Sequence, residues 1–484
     1  MHSALSERKR GSSLFFYGRR VEEFSFKKGS GEMENNTLDM MAQENATSLG
    51  QEAGRVEEAI IPQEKHWCQN QDRCGGCFYQ EIPYEEEVAK KEQEIRDLFD
   101  PVIQGNYLFE GIISSPKKEA YRNKMEFSFG DQEKDGPLCL GLHQKRSFFN
   151  ILNTEDCRLP HPDMGEILLA TRLYFQEKGL RYYHKKRHEG YLRHLLIRRA
   201  EKTGEILLSL VHSTQLPREE EEQILSGWRD KLLSLEKEGK LEGSYAGILH
   251  TKNDSLADAV INDGTEALYG KDYFYEELLG LNFKITPFSF FQTNTLGAEK
   301  LYAKVQEYSS FSENAEEKPV IYDLYSGTGT ITQLMSKVAK QAIGVEIVEE
   351  AVEAAKENAK ENQVENCIFY AGDVLKVLEA SKDKAMEPSN TSKDMEKCET
   401  ISIPYPDFII VDPPRDGMHK KALEKIISYG VKRLVYVACK PKSLARDLEA
   451  LQNAGYRVQK LCAVDLFPRT NNCEVVALLE KEES

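Results

Sequence analysis

Val320-Ile-Tyr-Asp-Leu-Tyr325-Ser-Gly327-Thr-Gly329-Thr330 decides the fold. An apolar strand runs into a glycine-rich turn, and glycine lets backbone approach a ligand closely there. The next segment, Ile331 to Ala339, has helical periodicity. The same alternation then repeats. Gln341 to Glu346 reads as a strand, Val348 to Asn362 as a helix and Cys367 to Tyr370 as a strand. Phe408 to Asp412 and Arg433 to Val437 are further buried strands. Such β-α alternation predicts an α/β, doubly wound, Rossmann-like domain over residues 281–484.

Upstream the pattern changes. Met125 to Phe129 and Leu138 to Leu142 alternate as sheet strands, within a strand-rich stretch from Ile112 to Leu152. Ile206 to Val211 and Ala246 to Leu249 continue it, and Glu219 to Leu241 is leucine-periodic and helical. A mixed α+β domain is expected over residues 101–280. Residues 61–100 carry a cysteine cluster and a helix from Pro83 to Phe99. Residues 1–60 are polar and glycine-rich, which predicts a weakly folded tail. Its basic start, Arg8 to Lys28, reads as a solvated tail or as a loose RNA contact. Ala380 to Ser402 is a polar insertion, expected as a surface loop.

Of 484 residues, 40% are apolar and 30% charged, a globular balance. No run approaches the roughly 20 apolar residues of a membrane span. The first residues lack the apolar core of a signal peptide, so a cytoplasmic protein is expected. A net charge of −16 excludes binding nucleic acid by bulk charge alone, though not a local basic face. Ten cysteines in such a chain point to thiol chemistry, metal sites or apolar filler rather than disulfides.

The strand ends carry the chemistry. Beyond the glycine turn, Gly344-Val-Glu346 ends in a carboxylate placed to accept hydrogen bonds from ribose hydroxyls, and Gly372-Asp373 can face an adenine edge. Acidic groups suit S-adenosylmethionine, whose sulfonium and ammonium are cationic. Val411-Asp412-Pro413-Pro414-Arg415 ends another strand in a stiff loop that holds Asp412 and Arg415 outward. Val437-Ala438-Cys439-Lys440-Pro441 puts a thiol before a helix and beside a cation, which predicts a thiol pKa below about 8.5 and a nucleophile. Glu474 opens a hydrophobic strand and is a candidate general base. A thiolate added at C6 of uracil makes an enolate whose C5 can take a methyl group, and a base must then remove the C5 proton.

As a set, these motifs resemble the RNA uracil-5-methyltransferase family, the RumA-like 23S ribosomal RNA branch in particular. Tyr121-Arg-Asn-Lys-Met-Glu126, Ser289-Phe-Phe-Gln292-x-Asn294, the glycine turn, Asp412-Pro-Pro-Arg415, Cys439 and Phe467-Pro to Glu474 carry the likeness, from about Trp67 onward. It implies a class I methyltransferase domain. It also implies that Gln292, Tyr325, Thr330, Glu346, Asp373 and Asp412 contact S-adenosylmethionine, with Cys439 the nucleophile and Glu474 the base. Two departures stand out. Asn472 occupies the position two before the base where members often carry His, and residues 1–66 do not read as the small β-barrel that opens many members.

Cys68-x5-Cys74-Gly-Gly-Cys77 is a compact thiolate set, suited to an iron–sulfur core or to zinc. Spacing leaves Cys139 and Cys157 open as the fourth ligand. The resemblance implies Cys157 and a [4Fe-4S] cluster. Arg181 to His188 and Arg193 to Arg199 mix cations with aromatics, as phosphate contact and base stacking need, but a solvated charged face reads equally well. The expected partner is RNA, 23S rRNA first, with tRNA as the alternative target. A cytosine-5 methyltransferase would place a second cysteine where Asp412-Pro-Pro stands. A non-catalytic iron–sulfur RNA-binding or assembly protein is the alternative from another class, and an intact Cys439 and Glu474 argue against it.

Overall fold

Phe408–Val411 and Leu434–Ala438 are apolar and fully buried, as strands covered on both faces must be. The computed structural model describes residues 68–257, 259–310, 318–382 and 403–482. The expected tail over residues 1–60, Trp67 and most of the polar insertion lie outside the described residues.

The chain begins with α1 (Tyr84–Phe99) and β1 (Leu108–Ile113). Next come β2 (Lys124–Gly130), β3 (Cys139–His143), β4 (Ile151–Asn153), α2 (Pro162–Glu177), β5 (Leu192–Arg199) and β6 (Glu205–His212). They are followed by α3 (Arg218–Lys237), β7 (Ser244–Lys252) and β8 (Thr265–Gly270). A hairpin of β9 (Phe274–Leu278) and β10 (Leu281–Ile285) leads into α4 (Thr295–Tyr308). The regular alternation then runs β11 (Val320–Leu324), α5 (Thr330–Met335), β12 (Gln341–Glu346), α6 (Glu349–Glu361), β13 (Cys367–Ala371) and α7 (Val374–Lys382). It ends with β14 (Phe408–Val411), α8 (Lys420–Tyr429), β15 (Arg433–Ala438), α9 (Pro441–Asn453), β16 (Tyr456–Val464) and β17 (Glu474–Lys481).

The expected α/β domain is present as an eight-stranded sheet, ordered β1-β16-β17-β15-β14-β11-β12-β13. All pairings are parallel except those of β17, which runs against β15 and β16. Each face buries its own apolar cluster. The chain crosses from β11 to β12 on one side and later to β14 on the other. That switch point opens a crevice at the carboxyl ends, where ligands of such sheets bind.

The second sheet, β4-β3-β2-β5-β6-β7-β8, is mixed, with α2 and α3 on one face around the buried Trp228. Its indole N–H donates to Thr171 Oγ1 at 3.1 Å. The sheets do not divide at the expected boundaries. β1 belongs to the large sheet, where it pairs with β16. Ile95 and Phe99 of α1 lie in that sheet's core, and the β9–β10 hairpin supplies Phe274, Leu278 and Phe283 to its other face. Among the described residues no helix is long and apolar enough to cross a membrane.

Two polar clamps join the layers. Asn123, from the Tyr121–Glu126 motif, donates from its backbone to Thr293 O and from its side chain to Gln292 O and Thr295 Oγ1. The buried Arg198 guanidinium donates to Pro287 O and Ser289 O. Asn294 caps α4 by accepting from Gly297 N at 2.9 Å and donates to Leu466 O at 2.9 Å. The Ser289–Asn294 motif is thus held between the two sheets.

Candidate active site

Every strand that ends at the switch point presents a functional group there. β11 exits through Tyr325, whose φ of 69° is a left-handed conformation that a non-glycine residue adopts only under constraint. Gly329 caps α5, and a Cβ on it would come within 2.5 Å of the Phe369 ring. Only glycine lets α5 pack this closely on the sheet.

Glu346, at the end of β12, accepts from Gly327 N at 3.0 Å, Ile347 N at 2.9 Å and Val348 N at 3.0 Å. Asp373, after β13, accepts from Leu375 N at 2.9 Å and so holds the start of α7. Both carboxylates are therefore fixed in direction by backbone donors. Thr330 is the first, buried residue of α5. Beneath the turn, buried Asp323 accepts from Thr332 Oγ1 at 2.6 Å. Asp323 Oδ1 and Ser326 Oγ, both buried, have no hydrogen-bond partner among the described residues. Around these polar groups Phe290, Ile347 and Val348 are exposed, Phe290 by 66%. Unpartnered polar atoms under exposed apolar side chains suit a nucleoside that carries cationic groups.

On the other side of β11, β14 ends at Asp412, whose N–H donates to Leu324 O. β15 ends at Ala438, which sits opposite Val475 on antiparallel β17. Cys439 follows Ala438 directly and Glu474 precedes Val475, so the thiol and the carboxyl leave the two paired strands at the same end.

The charges confirm that these groups share one space. Burial raises the Glu474 carboxyl to about 8, with Asp412 adding to the rise and Arg415 opposing it. Burial raises Asp412 to about 7, and nearby Asp323 adds to this. Tyr302 of α4 is pushed up by burial and by Asp412, while a hydrogen bond from Gln292 offsets part of this. Gln292 therefore reaches the same cluster. Tyr325 is raised to about 12 by burial and then by Asp373.

The Cys439 thiol goes the opposite way from the expectation. It is raised to about 12, first by burial, then by Glu474 and Asp412, with Arg415 only partly offsetting them. The sequence placed Lys440 next to the thiol but did not show the two carboxylates that face it.

The family model described as tRNA (Uracil-5-)-methyltransferase matches residues 261–482. A protein of Clostridium tetani named as an uncharacterized RNA methyltransferase is 43% identical, over 85% of this chain and 83% of its own length. The chain belongs to the RNA uracil-5-methyltransferase family.

A methyltransferase of the same printed description from Clostridium acetobutylicum is 44% identical, over 84% of this chain and 82% of its own. The crystal structure of Pyrococcus abyssi tRNA (uracil-54, C5)-methyltransferase in complex with S-adenosyl-L-homocysteine shares this fold. Its TM-score is 0.63 at 24% identity, covering 84% of this chain and 85% of that one. The chain is an S-adenosylmethionine-dependent RNA (uracil-5-)-methyltransferase, and the crevice around Glu346, Asp373 and Asp323 fits that cofactor.

Three features of this methyltransferase were not visible in its sequence. Tyr302 stands beside Asp412 and Glu474 from a helix that carries no motif. Asp447 of α9 accepts from Tyr436 OH at 2.8 Å beneath the site. Third, the loop before Glu474 is bolted to the N-terminal segment. Lys91 Nζ donates to Glu87 Oε1 and Asp465 Oδ1, both at 2.8 Å, and Tyr84 OH donates to Asp465 Oδ2 at 2.9 Å. Arg469 donates from Nη1 to Tyr79 O and Ile82 O, and its carbonyl accepts from Phe78 N. Buried charges are expensive to desolvate, and here each is met by several partners.

Cys68, Cys74 and Cys77 of the expected cluster lie in this same segment, and Gln69 N donates to Asp156 Oδ2 at 2.9 Å beside Cys157, in the connection from β4 to α2. The Cys157 thiol is raised to about 12 by burial and then by Cys77, Cys74 and Cys68. Cys139 opens β3 and its thiol donates to Pro137 O, just ahead of that strand. Among the described residues, however, no three His, Cys, Asp or Glu side chains converge as a metal-binding group.

Proposed function

We propose that this enzyme methylates C5 of a specific uridine in 23S ribosomal RNA in the cytoplasm, through a covalent adduct between Cys439 and C6. The observation that carries the proposal is the β15–β17 register, whose last pair, Ala438 and Val475, brings the adjoining Cys439 thiol and the buried Glu474 carboxyl to the same end of the two strands. Gln292, Tyr325, Thr330, Glu346, Asp373 and Asp412 would hold S-adenosylmethionine, which supplies an electrophilic methyl group to the C5 of the activated ring. Cys439, as thiolate, adds to C6 and pushes the ring electrons onto C5 and O4. After C5 is methylated, Glu474 as carboxylate takes the C5 proton. The C6–S bond then breaks, restoring the double bond and the thiolate. Arg415 is the cation that stabilises negative charge at both Cys439 and Glu474. The target base must leave its stack to enter this pocket.

Cys68, Cys74, Cys77 and Cys157 are the proposed holders of a [4Fe-4S] cluster. The bond from Gln69 N to Asp156 Oδ2, which ties the cysteine segment to the turn that carries Cys157, supports this. Protein purified without oxygen is expected to contain iron and acid-labile sulfide, and Cys157→Ser is expected to lower both. Zinc in place of iron would refute the cluster.

A tRNA target is the second reading, favoured by the tRNA (Uracil-5-)-methyltransferase family that residues 261–482 match. Labelled methyl should pass from S-adenosylmethionine to unmodified 23S rRNA, with 5-methyluridine as the only labelled nucleoside. Label in tRNA alone would move the substrate to the second reading.

A further inference from the structure

In a chain of net charge −16, the loop between β3 and β4 and the turn over residues 182–190 concentrate positive charge. Lys145 and Arg146 are exposed on the first, and Lys186 and Arg187 on the second. The two segments touch. Lys185 Nζ donates to Phe148 O at 3.3 Å, and Lys186 Nζ lies 4.9 Å above the Phe149 ring. The acidic side chains beside them are Asp131, Asp135 and Glu189. Asp131 is buried and accepts from Tyr182 OH.

Phe148 is 82% exposed, the most exposed large apolar side chain among the described residues. Its loop is nevertheless built, not loose. Phe149 N and Asn150 N both donate to Ser147 Oγ, and Asn150 Nδ2 donates to Gln132 O at 2.8 Å. An aromatic ring is therefore held out in water amid cations by a hydrogen-bonded frame. Nothing in core packing calls for that.

The place of this surface gives it meaning. Lys145 N donates to Arg73 O at 2.7 Å, which joins the loop to the cysteine segment. That segment ends at Phe78, itself 67% exposed, whose N–H bonds to Arg469 ahead of Glu474. A continuous run of chain contacts thus leads from the catalytic carboxyl to Phe148.

We infer that this surface binds the single-stranded RNA flanking the target uridine, with one base stacked on Phe148 and phosphates on Lys145, Arg146 and Lys186. The inference rests on RNA being the substrate. A uridine that must be unstacked lies in unpaired RNA. Unpaired RNA is held by cations along its backbone and by aromatic faces under its bases.

The test is binding of a fluorescently labelled, unstructured RNA oligonucleotide to the full chain, followed by anisotropy at several salt concentrations. Phe148→Ala is expected to weaken binding about tenfold, and Phe148→Trp to restore it. Lys145→Gln and Lys186→Gln should each reduce the slope of log K against log salt by about 0.7. Unchanged affinity in Phe148→Ala together with unchanged slopes in the lysine variants would overturn the inference. Methyl transfer to RNA is measured in parallel. A wild-type chain that binds RNA through Phe148 but methylates none would sink the proposed reaction and leave this surface standing. A chain that methylates RNA with the same KM in Phe148→Ala would do the reverse.

Discussion

Cys439→Ala is expected to lose methyl transfer by at least ~10⁴-fold, because the only route to a nucleophilic C5 runs through addition at C6. Cofactor binding should persist, since Cys439 lies across β14 from the glycine turn. The pH dependence follows from the same neighbours. The thiol is raised by burial and by Glu474 and Asp412, so the thiolate fraction in the empty site is small at neutral pH. A group whose reactive form is the deprotonated one gains activity as pH rises toward its pKa. The wild-type kcat/KM should therefore climb from pH 6 to pH 9, roughly tenfold per unit where one proton controls the rate. A flat profile across that range, measured with RNA and cofactor below saturation, would contradict this account of the thiol.

Glu474→Gln is expected to separate the two halves of the reaction. Adduct formation and methylation need Cys439, while release needs a base for the C5 proton. The variant should turn over about 10²–10⁴-fold more slowly and accumulate a methylated protein–RNA adduct that survives denaturing gel electrophoresis. In the wild type, Glu474 is raised to about 8, chiefly by burial and then by Asp412. It must be a carboxylate to act, so the release step also favours pH above neutral. Glutamine keeps the shape and hydrogen-bonding size of the side chain, so loss of cofactor affinity is not expected. A variant that slows tenfold or less and traps nothing would move the base elsewhere.

Much of this was legible because the large sheet is buried on both faces. Parallel strands covered by helices must be apolar throughout, so β14 and β15 stand out as uninterrupted runs, and the chemical groups stand at their ends. The glycine turn was legible for a similar local reason, since only glycine permits the close approach at residue 329. What sequence could not show is what distant segments bring together. β1 is an edge strand whose partner, β16, lies more than three hundred residues later, so its local pattern assigned it to the wrong domain. Lys91 and Asp465 are 374 residues apart, and neither looks buried on its own.

The thiol shows the same limit in chemical terms. Lys440 is its neighbour in the chain, which argued for a lowered pKa. Burial of the thiol is what raises it most, and Glu474 and Asp412, its neighbours in space, add to the rise. Asn123 and Arg198 illustrate the point for structure. Arg198 sits in a stretch that reads as a possible RNA contact, and Asn123 in a motif with no legible task, yet both turn inward to hold the Ser289–Asn294 segment between the sheets. Of the cations that face solvent beside Phe148, Lys186 and Arg187 lie in the Arg181–His188 stretch whose mixture of cations and aromatics was legible, while Lys145 and Arg146 lie on a loop with no such signal.

The most direct test of the central claim uses substrate RNA in which the target uridine is replaced by 5-fluorouridine. The fluorine at C5 cannot leave as a proton, so the reaction should stop after methylation with the enzyme still attached. Incubated with S-adenosylmethionine and digested, the complex should yield one cross-linked peptide, containing Cys439 bound to a methylated fluorouridine. An enzyme that methylates ordinary uridine in the same RNA, yet forms no adduct with the fluorinated one or forms it at another cysteine, would contradict the covalent mechanism.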